Sequence, residues 1–88
     1  MSNNKRLSAT VRQAVCGTLN REVDVAVARQ ASGGWTVTMK LGRASSAPIR
    51  LEGWEMDAMR QVKLVPAHKR GIFLRHYSML ASSVEGGS

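Results

Sequence analysis

The sequence predicts a small α+β domain, and three observations carry that prediction. Apolar residues recur every fourth position at Leu7, Val11, Val15 and Leu19. Two period-two runs, "EVDVAVARQ" and "WTVTMKL", flank the turn cluster "ASGG". The stretch "EGWEMDAMRQVKL" then returns to a helical period, with its carboxylates at the front. A stripe spaced by three and four marks an amphipathic helix, whereas strict alternation marks a half-buried strand. A chain of 88 residues holds one domain.

Residues 1–6, "MSNNKR", read as a flexible polar N-terminus, ahead of a single domain over 7–81. The first stripe predicts a helix over 8–20, with Ser8 or Thr10 as its cap; Thr10 and Gln13 have capping-box spacing. Val23, Val25 and Val27 then alternate with Asp24, Ala26 and Ala28. Trp35, Val37, Met39 and Leu41 alternate with Thr36, Thr38 and Lys40. These runs predict an antiparallel hairpin, with Gly33 and Gly34 supplying positive-φ turn positions. "GRASSAP", 42–48, reads as a loop, and "IRL" as a short third strand with Pro48 tolerable at its start.

In the second helical stretch Trp54, Ala58, Gln61 and Val62 share one stripe, and Met56 and Met59 a neighbouring one. Glu52, Glu55 and Asp57 sit near its start, where the helix dipole favours negative charge. Trp35, Val37, Met39, Leu41 and Trp54 are therefore expected to build the core. Pro66 and Gly71 bracket a basic turn holding His68, Lys69 and Arg70. "IFLRHYSML" fits a strand or a helix. As a strand it places Phe73, Arg75, Tyr77 and Met79 on one face; as a helix it aligns Phe73, Tyr77 and Leu80. Bulky Ile, Phe and Tyr after a glycine favour the strand. Residues 82–88 read as a flexible C-terminal tail.

Charge is the strongest global feature. Thirteen basic residues, nine of them Arg, against six acidic give a net charge of +7. The excess lies at both ends, while the middle holds most of the acids. Such asymmetry points to a polyanionic partner, either nucleic acid or an acidic protein surface. The single cysteine, Cys16, excludes an internal disulfide and reads as a small hydrophobe. No apolar run approaches the ~18 residues of a membrane span, and the N-terminus lacks the apolar segment of a signal peptide. A cytoplasmic protein without a membrane partner is expected.

Nothing in the sequence points to an enzyme. There is no G-x-S-x-G elbow, and "GRASSAP" lacks the lysine and spacing of a phosphate-binding loop. His68 and His76 have no third ligand in pattern with them, so no metal and no cofactor is expected. The expected face for a nucleic acid is the polar side of the hairpin: Arg29, Thr36, Thr38 and Lys40, extended by Arg43, Arg50, Lys69 and Arg70. Arg grips phosphates in a fork, and exposed aromatic rings stack on bases.

The stretch "VDVAVARQASGGWTVTMKLGRASSAPIRLEGWEMDAMRQV" resembles the core of the positive-cofactor-four family of single-strand DNA-binding transcriptional coactivators. Ile49 and Leu51 match that family's short Ile-x-Leu strand. Trp54 and Met59 match its helix positions, with the Trp arriving early. The resemblance covers about 22–62, and neither the N-terminal helix nor the segment after Pro66 has a counterpart in it. It implies a homodimer formed through the helix, with single strands held along the β-face by Arg29, Lys40, Arg43 and Arg50.

The order of elements also resembles that of double-stranded-RNA-binding domains. There the second helix opens with basic residues; here it opens with Glu52, Glu55 and Asp57, which repel phosphate. The leading expectation is thus a non-catalytic protein that binds single-stranded DNA or RNA and regulates transcription or replication. The alternative is a small phage- or mobile-element-type protein that binds and modulates a host enzyme. In it Phe73, Tyr77 and Met79 make the contact, and the arginines meet an acidic patch of the partner.

Overall fold

The computed structural model describes residues 2–86. Helix α1 spans Ser2–Leu19, and strands β1 Asp24–Arg29, β2 Trp35–Leu41, β3 Ala44–Ser45 and β4 Ile49–Leu51 follow. Helices α2, Gly53–Val62, and α3, Ala67–Gly86, complete the α+β domain.

Helix α1 starts before the expected position 8, so residues 2–6 continue it rather than precede it. Thr10 is consequently not a cap; its hydroxyl donates to the Arg6 carbonyl at 3.1 Å, inside the helix. The stripe Val11, Val15 and Leu19 is buried as the spacing predicts, joined by Ala14. The helix stops where Asn20 turns left-handed at φ 57°, a conformation asparagine tolerates. The Arg21 N–H then reaches back to the Cys16 carbonyl at 3.3 Å, the backward bond of a Schellman ending.

Strands β1 and β2 form the predicted hairpin, in register from Asp24↔Lys40 to Arg29↔Trp35. Gly33 and Gly34 take φ of 98° and 83° in its loop. At Gly34 a side chain is doubly excluded, because a Cβ there would lie 3.0 Å from the Leu51 carbonyl oxygen. The expected loop 42–48 instead contains β3. Gly42, at φ 63°, and Arg43 make a two-residue turn that sends the chain back along β2.

Both β3 and β4 pair antiparallel with β2, through Lys40↔Ser45 and Val37↔Ile49. Between those pairs β2 has Thr38 and Met39, while its neighbour has Ser46, Ala47 and Pro48. The extra residue makes a bulge. Ser46 closes it: its N–H donates to the Met39 carbonyl at 2.8 Å, and its hydroxyl accepts from the Met39 N–H at 3.0 Å. Pro48, with no N–H to offer a ladder, falls where none is needed.

All three helices contribute to one core with Val37, Met39, Ile49 and Leu51 on a single face of the sheet. Helix α2 buries Glu55, Met56 and Met59, not the stripe of Trp54, Ala58, Gln61 and Val62. Trp54 is 62% exposed, which corrects its expected place in the core.

The segment 72–80, for which the strand reading is favoured in sequence, lies inside α3. The physical reason is burial at i, i+4 and i+7. Phe73 is fully buried, Tyr77 half-buried and Leu80 buried, all turned to the core. Gly71 does not end the helix, being exposed with open space around it. Residues 82–86, expected as a tail, form its last turns, and the rest of that tail lies outside the described residues.

Candidate nucleic-acid interface

Alternation decides which side chains share a face. The odd-numbered residues of β1 and β2 point to the helices, since Val37 and Met39 are buried there. The even-numbered ones form the opposite, open face. Cross-strand pairs place Asp24 beside Lys40, Ala26 beside Thr38, and Ala28 beside Thr36. On the other side of β2, Ser45 neighbours Lys40 and Arg50 neighbours Thr36. Arg43 stands at the turn that ends this face. Four expected residues, Thr36, Thr38, Lys40 and Arg50, are thus brought together, with Arg43 at their edge.

The other expected residues lie elsewhere. Arg29 pairs with Trp35, so it belongs to the helix side of the sheet, where its guanidinium sits 5.7 Å from the Trp35 ring centroid. This corrects its placement beside Thr36 and Lys40. Lys69, on α3, is committed to the fold: its ammonium donates to the Arg50 carbonyl at 3.1 Å and lies 3.9 Å from Glu55. Arg70 is exposed on the same helix. The protein-contact set is also broken up, because Phe73 is buried and Tyr77 packs on the core, leaving Met79 alone at the surface.

On the open face the carboxylates are engaged. Asp24, opposite Lys40, accepts from the Arg12 guanidinium at 3.2 Å, and Glu52 lies 3.8 Å from Arg50. Among the described residues, no carboxylate oxygen lies within 4.0 Å of a Lys40 or Arg43 nitrogen. The Thr36 hydroxyl is internally used, accepting from Gln30 at 3.1 Å and donating to the Ala28 carbonyl at 3.4 Å. The face is built around the small side chains of Ala26, Ala28, Thr36 and Thr38, and its strand positions hold no aromatic ring. Trp35 lies on the helix side, and Trp54 lies on α2.

A second polar cluster joins α2 to α3. Glu55 is 2% exposed. One of its oxygens accepts the Glu52 N–H at 2.7 Å, one half of a capping box. The other bonds His68 Nε2, and Lys69 stands at 3.9 Å. Burial pushes this carboxyl up, but the Glu52 N–H, the His68 bond and the neighbouring Lys69 and His68 charges outweigh it. The net effect holds Glu55 below its ordinary 4.5. Trp54 lies over His68, with ring centroids 5.2 Å apart and planes at 21°. The spacing Glu52-x-x-Glu55 is the signal that identifies the cap; nothing in sequence announces the His68 contact.

Cys16 donates its thiol to the Val23 carbonyl at 3.4 Å and is half-buried. Among the described residues no three His, Cys, Asp or Glu side chains converge as a metal site, and no helix is long and apolar enough to cross a membrane. No protein-family model, curated protein or solved structure matches the chain.

Proposed function

We propose that the protein is a non-catalytic nucleic-acid-binding protein that acts in the regulation of transcription or replication, and that it binds through the open face of its sheet. The observation that supports this most directly is the placement of Lys40 and Arg50 on the sheet face opposite the helices, with Arg43 at its edge and Asp24 already held by Arg12. In a chain of net charge +7, such a face attracts phosphates, its two carboxylates, Asp24 and Glu52, being paired with Arg12 and Arg50. The short Ile49–Leu51 strand that carries the resemblance to single-strand-binding coactivators also carries Arg50.

The mode of binding follows from what the face presents. Without an aromatic platform on its strands, it grips the phosphate backbone rather than stacking on bases, and sequence preference is weak. Hydroxyl and backbone contacts from Thr38 and Ser45 complete the register. A single strand, whose backbone can follow the twist of the sheet, remains the substrate we propose.

The test is fluorescence anisotropy of labelled single-stranded DNA, RNA and duplex DNA titrated with the protein at low and near-physiological salt. Replacing Arg43 and Arg50 with Glu should abolish binding while circular dichroism stays unchanged, because both side chains are exposed. If that double variant retains its affinity for all three, the face is wrong.

A further inference from the structure

A second surface, away from the open face, lies along α3. Three large apolar side chains are exposed in line there: Trp54 at 62%, Ile72 at 38% and Met79 at 66%. Trp54 joins the line by stacking on His68. His68 is one turn before Ile72, and Met79 two turns after it, so all three residues of α3 lie on one flank of the helix. At about 1.5 Å per residue the line from His68 to Met79 runs roughly 16 Å. Isolated exposed apolar residues are ordinary, but three on one flank, with Arg75 between Ile72 and Met79, have the composition of a contact surface.

Two features say what the ridge fits. The first is rigidity. Trp54 is not loose at the surface; it lies on an imidazole that is itself bonded to the buried Glu55 carboxylate. An anchor held before its partner arrives loses less freedom on binding. The second is charge. Arg75 lies within one turn of both Ile72 and Met79, and His76 flanks them, its Nδ1 donating to the Ile72 carbonyl at 2.8 Å. From Ala67 to Val84, α3 carries no carboxylate; Arg75 is the cation on this flank, since Lys69 is held by Glu55 and Arg70 lies on the far side of the helix.

We infer that this ridge docks on an acidic amphipathic helix of a partner protein, with Trp54, Ile72 and Met79 as anchors against its apolar face and Arg75, between Ile72 and Met79, meeting one of its carboxylates. Trp, Met and Arg are the residues enriched in such contacts. A second copy of the chain is a poorer occupant, because it would set the same cationic helix against itself. A polynucleotide is poorer too, since Ile72 and Met79 have no planar face for a base.

The probe is a synthetic amphipathic helical peptide with Leu and Phe on one face and Glu on the other, compared with a twin carrying Lys in place of Glu. Binding is read from Trp54 emission in a Trp35→Phe background. The acidic peptide should shift the emission to the blue, and the Lys twin should leave it unchanged. Replacing Ile72 and Met79 together with Ser preserves net charge and exposes nothing buried, and should weaken the acidic peptide at least tenfold with the circular dichroism spectrum intact. An unchanged emission with the acidic peptide, or equal affinity in the Ser variant, overturns the inference. So does a loss of oligonucleotide affinity in that variant, which assigns the ridge to nucleic acid. A wild-type dimer that the variant converts to monomer in sedimentation overturns it as well, assigning the ridge to a second copy.

Discussion

Replacing Glu55 with Gln tests whether a buried carboxylate holds α2 to α3. Glutamine keeps the size of the side chain and one oxygen for the Glu52 N–H, but removes the charge facing His68 and Lys69. Breaking a fully buried ion pair costs about 3–5 kcal/mol. Here the partners can turn to water, since the His68 side chain is 50% exposed and that of Lys69 22%. The loss is therefore closer to that of one charge-assisted hydrogen bond, about 2 kcal/mol. At roughly 4–8 °C per kcal/mol for a domain of this size, the midpoint should fall by about 8–16 °C.

The pH dependence gives a sharper check. The Glu55 pKa is lowered on folding, so its contribution is fully present above 4.5 and is lost as pH falls through the lower, folded value. Urea unfolding of both proteins, followed by tryptophan emission between neutral pH and pH 3, should show a gap that narrows as the pH falls below 4.5. A gap that does not narrow in acid, or a neutral-pH loss below about 0.5 kcal/mol, would show that the carboxylate charge does not hold the two helices together.

Three further outcomes follow from the same geometry. Phe73→Ala removes a fully buried ring at the centre of α3's contact with the core, and should cost about 3–5 kcal/mol, enough to leave much of so small a domain unfolded; Phe73→Leu should retain the far-ultraviolet dichroism. Gly34→Ala should destabilise by more than 1 kcal/mol in urea, because it combines a positive φ with a 3.0 Å approach to the Leu51 oxygen, whereas Gly33→Ala, with open space around it, should cost less. If Lys40, Arg43 and Arg50 are the three phosphate contacts, single-strand affinity should fall roughly 20-fold between 50 and 200 mM salt, and each cation removed should flatten the log–log slope by about 0.7.

Much of the sheet was legible because its signals are local. Alternation through "VDVAVAR" and "WTVTMKL" depends only on neighbouring residues, and Gly33–Gly34 marks the turn between them. The bulge at Ser46 was less visible. It arises from a register mismatch between two strands, and a single strand's pattern does not contain its partner's count. The binding face was half legible. Thr36, Thr38, Lys40 and Arg50 follow from parity along their strands. Arg29 follows parity too, on the same side as Val25 and Val27, and so belongs with Trp35 and not with Lys40.

By itself the sequence determined an α+β class, an antiparallel hairpin, an N-terminal amphipathic helix and a strongly cationic chain, because periodicity and charge are properties of short windows. Only the tertiary structure decided which of two adjacent stripes on α2 is buried, whether 72–80 is strand or helix, and where Trp54 lies. Met56 and Met59 win over Trp54 and Val62 because α2 docks on α1 along that stripe. Phe73, Tyr77 and Leu80 win as a helix because the face of β2 they cover is already apolar and unfilled by α1. Both choices are made by surfaces distant in sequence, and burial against those surfaces outweighs the weak local preference for either form.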